Sequence, residues 1–169
     1  MLKILAIWLA FAQSGAKPIP ATDVKADEIE ATVKQEIAKP TTDMPIRTID
    51  AGGYNVGVGV VHRLKGAKSR VALHDKVTEV YQVLEGSGTL VTGGTMVNPQ
   101  RRTDAAEEVT QINGPGVSGT AIEGGVRRRI TKGDMVIIPA GTPHWFSEIQ
   151  ETLTYTVVRV DPGKVIALK

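Results

Sequence analysis

The sequence predicts an all-β protein, a sandwich or barrel preceded by a single N-terminal helix. Three observations carry this. From Ile46 onward, short runs rich in Val and Ile follow one another along the chain. They are separated by Gly-bearing turns, which is the rhythm of antiparallel sandwiches and barrels. A helical period occurs at Ile29, Val33 and Ile37, near the start.

The first residues read as an export segment. Met1-Leu2-Lys3 supplies one positive charge, and Ile4 to Ala12 is unbroken apolar sequence. Gln13-Ser14-Gly15-Ala16 then offers small residues for cleavage after Ser14 or Ala16. Basic start, short apolar core and small-residue exit are the layout of a secretory signal over residues 1–16. The apolar run would rise only ~14 Å as a helix, against ~30 Å of bilayer hydrocarbon. A periplasmic or secreted protein, with no membrane contact after cleavage, is therefore expected. The absence of Cys fits that without any need for oxidative folding.

Residues 17–45 form a tether and the helix. Lys17-Pro18-Ile19-Pro20 is an extended lead, Asp27 with Glu30 fits a capping box, and Pro40 ends the helix. The barrel domain is expected over 46–169. Ile46–Asp50 and Tyr54–Leu64 flank an Ala51-Gly52-Gly53 turn. Val71–His74, Glu79–Leu84 and Thr89–Val91 follow, broken at Asp75-Lys76 and at Gly86-Ser87-Gly88. Val126–Ile130, Met135–Ile138, His144–Ile149 and Leu153–Val160 complete the strands. Gly94–Gly125 reads as one long irregular loop, long enough to border a cavity mouth.

Composition narrows the chemistry. The chain has 169 residues, 41% apolar and 22% charged, with a formal charge of +2. That is one domain with a real core and no electrostatic case for nucleic acid. Zero Cys excludes thiol catalysis and Cys-built metal sites, and imidazole chemistry must use His62, His74 or His144. No GxSxG nucleophile motif and no P-loop occur. Arg127-Arg128-Arg129 reads as a solvated strand, and Trp145 and Tyr155 as packing or dimer contacts.

Two stretches carry a family resemblance: GAKSRVALHDKVTEVYQVLEG from Gly66 to Gly86, and GDMVIIPAGTPHWFSE from Gly133 to Glu148. They resemble the two signature motifs of the cupin superfamily. In the first, Gly66, His74, Glu79 and Gly86 stand at the family's spacings, and Ala72 takes the place of the first His. In the second, Gly133, Pro139, Gly141 and His144 match, and Glu148 takes the place of Asn. The resemblance implies an antiparallel jelly-roll, or double-stranded β-helix, barrel with a cavity for a small-molecule substrate or ligand. It also implies that His74, Glu79 and His144 are three of four ligands for a divalent transition metal. Two imidazoles and a carboxylate suit Fe, Mn, Ni or Zn.

The loss at position 72 leaves two readings open, a metal-dependent enzyme (dioxygenase, isomerase or lyase) and a non-catalytic small-ligand-binding module, metal-loaded or metal-free. His62 is a candidate replacement ligand, since a hairpin near Gly66-Ala67 would set it beside Ala72, with a surface or structural His as the alternative if the register shifts by one. Strand alternation places Tyr81 on the face of Glu79, and Glu148 on the face of His144. Tyr81 and Glu148 are thus the candidate catalytic side chains, with a place at the solvent-facing rim as the alternative for Glu148. The barrel is expected to pair as a homodimer.

Overall fold

The computed structural model describes residues 18–38 and 42–169. The export segment at 1–16, Lys17 of the tether and Pro40 lie outside the described residues. Helix α1 spans Ala26–Ala38. Its capping contact sits earlier than expected: the Glu28 carboxylate accepts from the Lys25 backbone N–H at 3.0 Å, in place of an Asp27–Glu30 box. The buried face also differs. Ile29 and Val33 are half-buried, but Glu36 is buried and Ile37 is exposed. At 3.6 residues per turn, position i+7 returns closer to the face of residue i than i+8 does.

Eleven strands follow. β1 (Asp43–Asp50) and β2 (Asn55–Arg63) form the predicted hairpin, closed by the Ala51 N–H donating to the Tyr54 carbonyl. β3 is Val71–His74, β4 Thr78–Thr92, β5 Thr95–Val97 and β6 Gln100–Arg101. A π-helical turn, Glu108–Asn113, leads to β7 (Gly116–Gly119) and β8 (Ala121–Glu123). β9 (Val126–Thr131), β10 (Met135–Ile138) and β11 (His144–Asp161) complete the chain. The main sheet runs β1-β2-β11-β3-β7-β6, and β4 pairs with β11 along one side and with β9 and β10 along the other. All pairs are antiparallel, and the result is the jelly-roll arrangement. The core lies between the curved layers and includes Val61, Val83, Leu90, Phe146, Leu153 and Tyr155.

Two predicted interruptions are not breaks. β4 runs straight through Gly86-Ser87-Gly88, and β11 runs through Gln150-Glu151-Thr152 beside it. The register between them shifts at Ile149/Glu151 and again at Glu151/Thr154, so the glycines mark bulges in long strands. Gly86 has φ of +78°, and a Cβ there would overlap the Thr152 carbonyl. The sequence signal of a turn and that of a bulge are the same residue.

The segment 94–125 is likewise not an irregular loop. It holds β5 to β8 and the π-helical turn, and β7 pairs with β3 from Val71↔Gly119 to His74↔Gly116. GVSG lacks the Val/Ile alternation that marks the other strands, which is why it reads as loop. Glu108, Ile112 and Asn113 from this segment do line the barrel cavity. Arg127, Arg128 and Arg129 are all exposed. Among the described residues no helix is long and apolar enough to cross a membrane.

Candidate metal centre

His74 ends β3, Glu79 lies near the start of β4, and His144 begins β11. The Pro139–Thr142 turn is fastened to this corner at two points. The Gly141 N–H donates to the His74 carbonyl at 2.7 Å, and the Ala140 N–H to the Thr78 hydroxyl at 3.2 Å. The second motif therefore docks on both sides of the first, bringing its His144 to the ring of His74, with centroids 5.1 Å apart.

All three side chains are buried, and one potential ligand atom from each lies within 4.8 Å of the others. Glu79 Oε2 is 3.4 Å from His74 Nε2 and 3.3 Å from His144 Nε2. The Tyr81 hydroxyl donates to the same oxygen at 2.8 Å. Glu79 Oε1 takes a hydrogen bond from Arg159 Nε at 2.9 Å, and Arg159 in turn holds Asp43 at 2.6 Å. Gly59 leaves the space through which Arg159 runs, since a Cβ there would lie 3.3 Å from its guanidinium. Burial by itself would push the Glu79 carboxyl up. The His74 imidazole and the Arg159 guanidinium beside it outweigh that and hold the group well below the usual carboxylate range. Burial, reinforced by the Glu79 charge, pushes the Tyr81 phenol well up, so it remains a neutral donor.

The two imidazoles are held in opposite senses. His144 Nδ1 lies 3.0 Å from the Thr142 carbonyl, which can only accept, so in the neutral ring its Nε2 carries the lone pair. His74 Nδ1 lies 3.1 Å from Arg102 Nη2, which can only donate, so its hydrogen is directed to Nε2. Arg102 is itself locked by the Leu73 carbonyl at 2.7 Å and Glu108 at 3.0 Å. Gly116 makes room for it, because a Cβ at 116 would collide with the guanidinium. Burial lowers the His74 pKa, with His144 and Arg102 adding to that against the pull of Glu79.

The donor set fits a divalent transition metal in type and proximity: two imidazole nitrogens and a carboxylate oxygen, with Oε1 anchored and Oε2 turned to both rings. His144 and Glu79 are oriented for it as they stand, and His74 becomes so once its hydrogen moves to Nδ1.

Two predicted site residues are not in this cluster. His62 is opposite Thr154 on β11 and its Nδ1 meets the Thr154 hydroxyl at 2.9 Å, whereas Ala72 is opposite His144. β2 and β3 are not a hairpin; β11 lies between them. Glu148 is exposed and accepts from Gln150 at 3.2 Å. The register shift between Phe146 and Glu148 inserts Ser147 as an extra residue, which reverses the alternation and turns Glu148 outward and Ile149 inward. Tyr155 is core and cavity wall, and Trp145 donates to the Ser69 carbonyl. The residues missed were Arg102 and Arg159. Arg159 had a legible signal, a lone cation within the Val-rich strand TVVRVD, since a buried charge needs partners.

The family model described as Cupin matches residues 53–168. The chain belongs to the cupin family. No curated protein matches its sequence. Among solved structures, this cupin is similar to a Bacillus halodurans protein at 16% identity, covering 85% of this chain and 83% of that one, with a TM-score of 0.48. An RmlC-like cupin family protein with a double-stranded β-helix fold from Methanocaldococcus jannaschii is 13% identical over 73% of this chain and 84% of that one, with a TM-score of 0.44. KdgF from a Halomonas species is 14% identical over 68% and 86%, with a TM-score of 0.41.

Proposed function

We propose that this cupin is exported and holds a divalent transition metal, of the Fe, Mn, Ni or Zn group, on His74, Glu79 and His144. It acts as a metal-dependent enzyme, of dioxygenase, isomerase or lyase type, on a small organic molecule in the barrel cavity. The observation that supports it most is the convergence of three buried ligand atoms within 4.8 Å at the end of a cavity of about 480 Å³. A metal bound there would supply a Lewis-acid or redox centre. The chain's own groups orient the site: the Thr142 carbonyl sets the His144 tautomer, Arg159 fixes the Glu79 carboxylate plane, and Phe146, Trp145 and Tyr155 give the cavity lining apolar surface. Export rests on residues 1–16, and the intact mass of the exported protein should place its first residue near Gly15 or Lys17. A soluble form retaining Met1 would refute it.

A second reading, a metal-free ligand-binding cupin, draws support from the Arg102–His74 contact. Metal analysis of untagged protein purified without chelator separates the two. On the metal reading, wild type carries about one ion per chain, His144→Ala carries none while remaining folded, and Arg102→Gln binds metal roughly tenfold more tightly. That gain arises because the Gln carbonyl can accept from His74 Nδ1–H where the guanidinium cannot. Equal metal content in wild type and His144→Ala would refute the metal reading. An empty wild type with a loaded Arg102→Gln would establish the metal-free one.

A further inference from the structure

We infer that the cavity takes a small organic acid, and that Arg63 binds its carboxylate. The inference rests on the reading of the barrel cavity as the functional site, but not on the metal. Arg63 is the last residue of β2, on the inward face with Val61. It lines the cavity with Ala72, His74 and Tyr155. Its guanidinium is held by two cavity aromatics, with Nε 3.4 Å from the Tyr155 hydroxyl and its carbon 5.8 Å from the centre of the Phe146 ring. These contacts position the fork without neutralising it.

Arg102 and Arg159, which brace the His74–Glu79–His144 cluster, are both spoken for. Arg102 pairs with Glu108, and Arg159 with Glu79 and Asp43. Arg63 has no carboxylate within ion-pair distance among the described residues. Asp43 and Glu36 contribute to its electrostatic surroundings, but Asp43 is bound to Arg159. Lys68 and Arg70, from the β2–β3 connection, add positive charge to the same cavity wall. A half-buried guanidinium lying over an aromatic ring and lining an open volume is suited to a planar anion. A carboxylate matches its fork with two parallel hydrogen bonds. The aromatic wall of Phe146, Trp145 and Tyr155 gives the remainder of the acid an apolar surface, and Ala72 leaves open the volume a larger side chain would fill.

The test is calorimetric titration of metal-free, chelator-treated protein with benzoate and succinate, with benzamide and succinamide as neutral counterparts and inorganic phosphate as the competing anion. The expected result is binding of at least one carboxylate, with its amide at least tenfold weaker. Arg63→Gln should lose at least tenfold in affinity, Arg63→Lys should recover part of it, and both should keep wild-type metal content and thermal unfolding. The inference is overturned if no carboxylate binds, if the amides bind equally well, if Arg63→Gln binds as wild type does, or if phosphate binds more tightly than either acid. It is also overturned if carboxylates bind only after metal is added, since the metal would then be the anion site. A protein that takes up no metal yet shows Arg63-dependent binding would remove the metal reading and leave this one standing.

Discussion

Glu79→Gln is expected to abolish metal loading and to cost about 3–5 kcal/mol of folding stability, the range for breaking a buried ion pair by removing one partner. Glu79 is 2% exposed, and Arg159, Tyr81 and both imidazoles converge on its two oxygens. An amide has one acceptor where the carboxylate has two, so either Arg159 or Tyr81 faces an NH₂ group. Arg159 would also keep its charge, buried, with only Asp43 left to it. The double variant Glu79→Gln/Arg159→Met separates the two consequences. Removing the orphaned cation should restore a large part of the lost stability, because an apolar side chain in that space incurs no desolvation cost. Metal loading should stay absent, because the ligand oxygen is gone. Urea unfolding and metal content of the three proteins, measured together, check both. A double variant no more stable than the single one would show that the ion pair is not what Glu79 contributes. Full metal content in Glu79→Gln would remove Glu79 from the ligand set.

The parts of this site that were legible in the sequence are those fixed by short-range geometry. Glu79 and Tyr81 alternate on one strand, and Pro139 and Gly141 make a turn that delivers His144 to the start of the next. These relations hold within a few residues of each other, where periodicity is reliable. Long-range pairing is what the sequence does not show. The placement of His62 beside Ala72 assumed that consecutive strands pair, but in the jelly-roll β11 is threaded between β2 and β3. The inward placement of Glu148 assumed unbroken alternation, and a single inserted residue at Ser147 reverses it. Arg102 reaches His74 from a segment without strand patterning, across a pairing of β3 with β7 that nothing local announces. Bulges and crossovers depend on what the partner strand does, so a strand's own sequence carries little trace of them.

Glu36→Gln is expected to stabilise this cupin at alkaline pH and to leave it unchanged in acid. Glu36 is 3% exposed on the inner face of α1, and neither of its carboxylate oxygens has a hydrogen-bond partner among the described residues. Burial pushes its carboxyl from the ordinary 4.5 up to about 8, with the Asp43 charge adding to the rise and Arg63 opposing it. The sign follows from linkage. Between the two values the native state holds a proton that the unfolded chain releases, so stability falls as pH rises. The contribution is fully present below the unfolded value, declines across the interval, and is lost once pH passes about 8. At about 1.4 kcal/mol per unit, the loss is on the order of 3–5 kcal/mol. Glutamine is neutral throughout and similar in volume, so it occupies the same space without that penalty. Urea unfolding at pH 4 and pH 9 should therefore give matching stabilities for the two proteins in acid and a gap of a few kcal/mol in favour of Glu36→Gln in alkali. Because Asp43 and Arg63 are present in both proteins, the difference between them isolates Glu36. A gap that is the same at both pH values would show that Glu36 finds, in the native protein, a partner strong enough to keep it ionised.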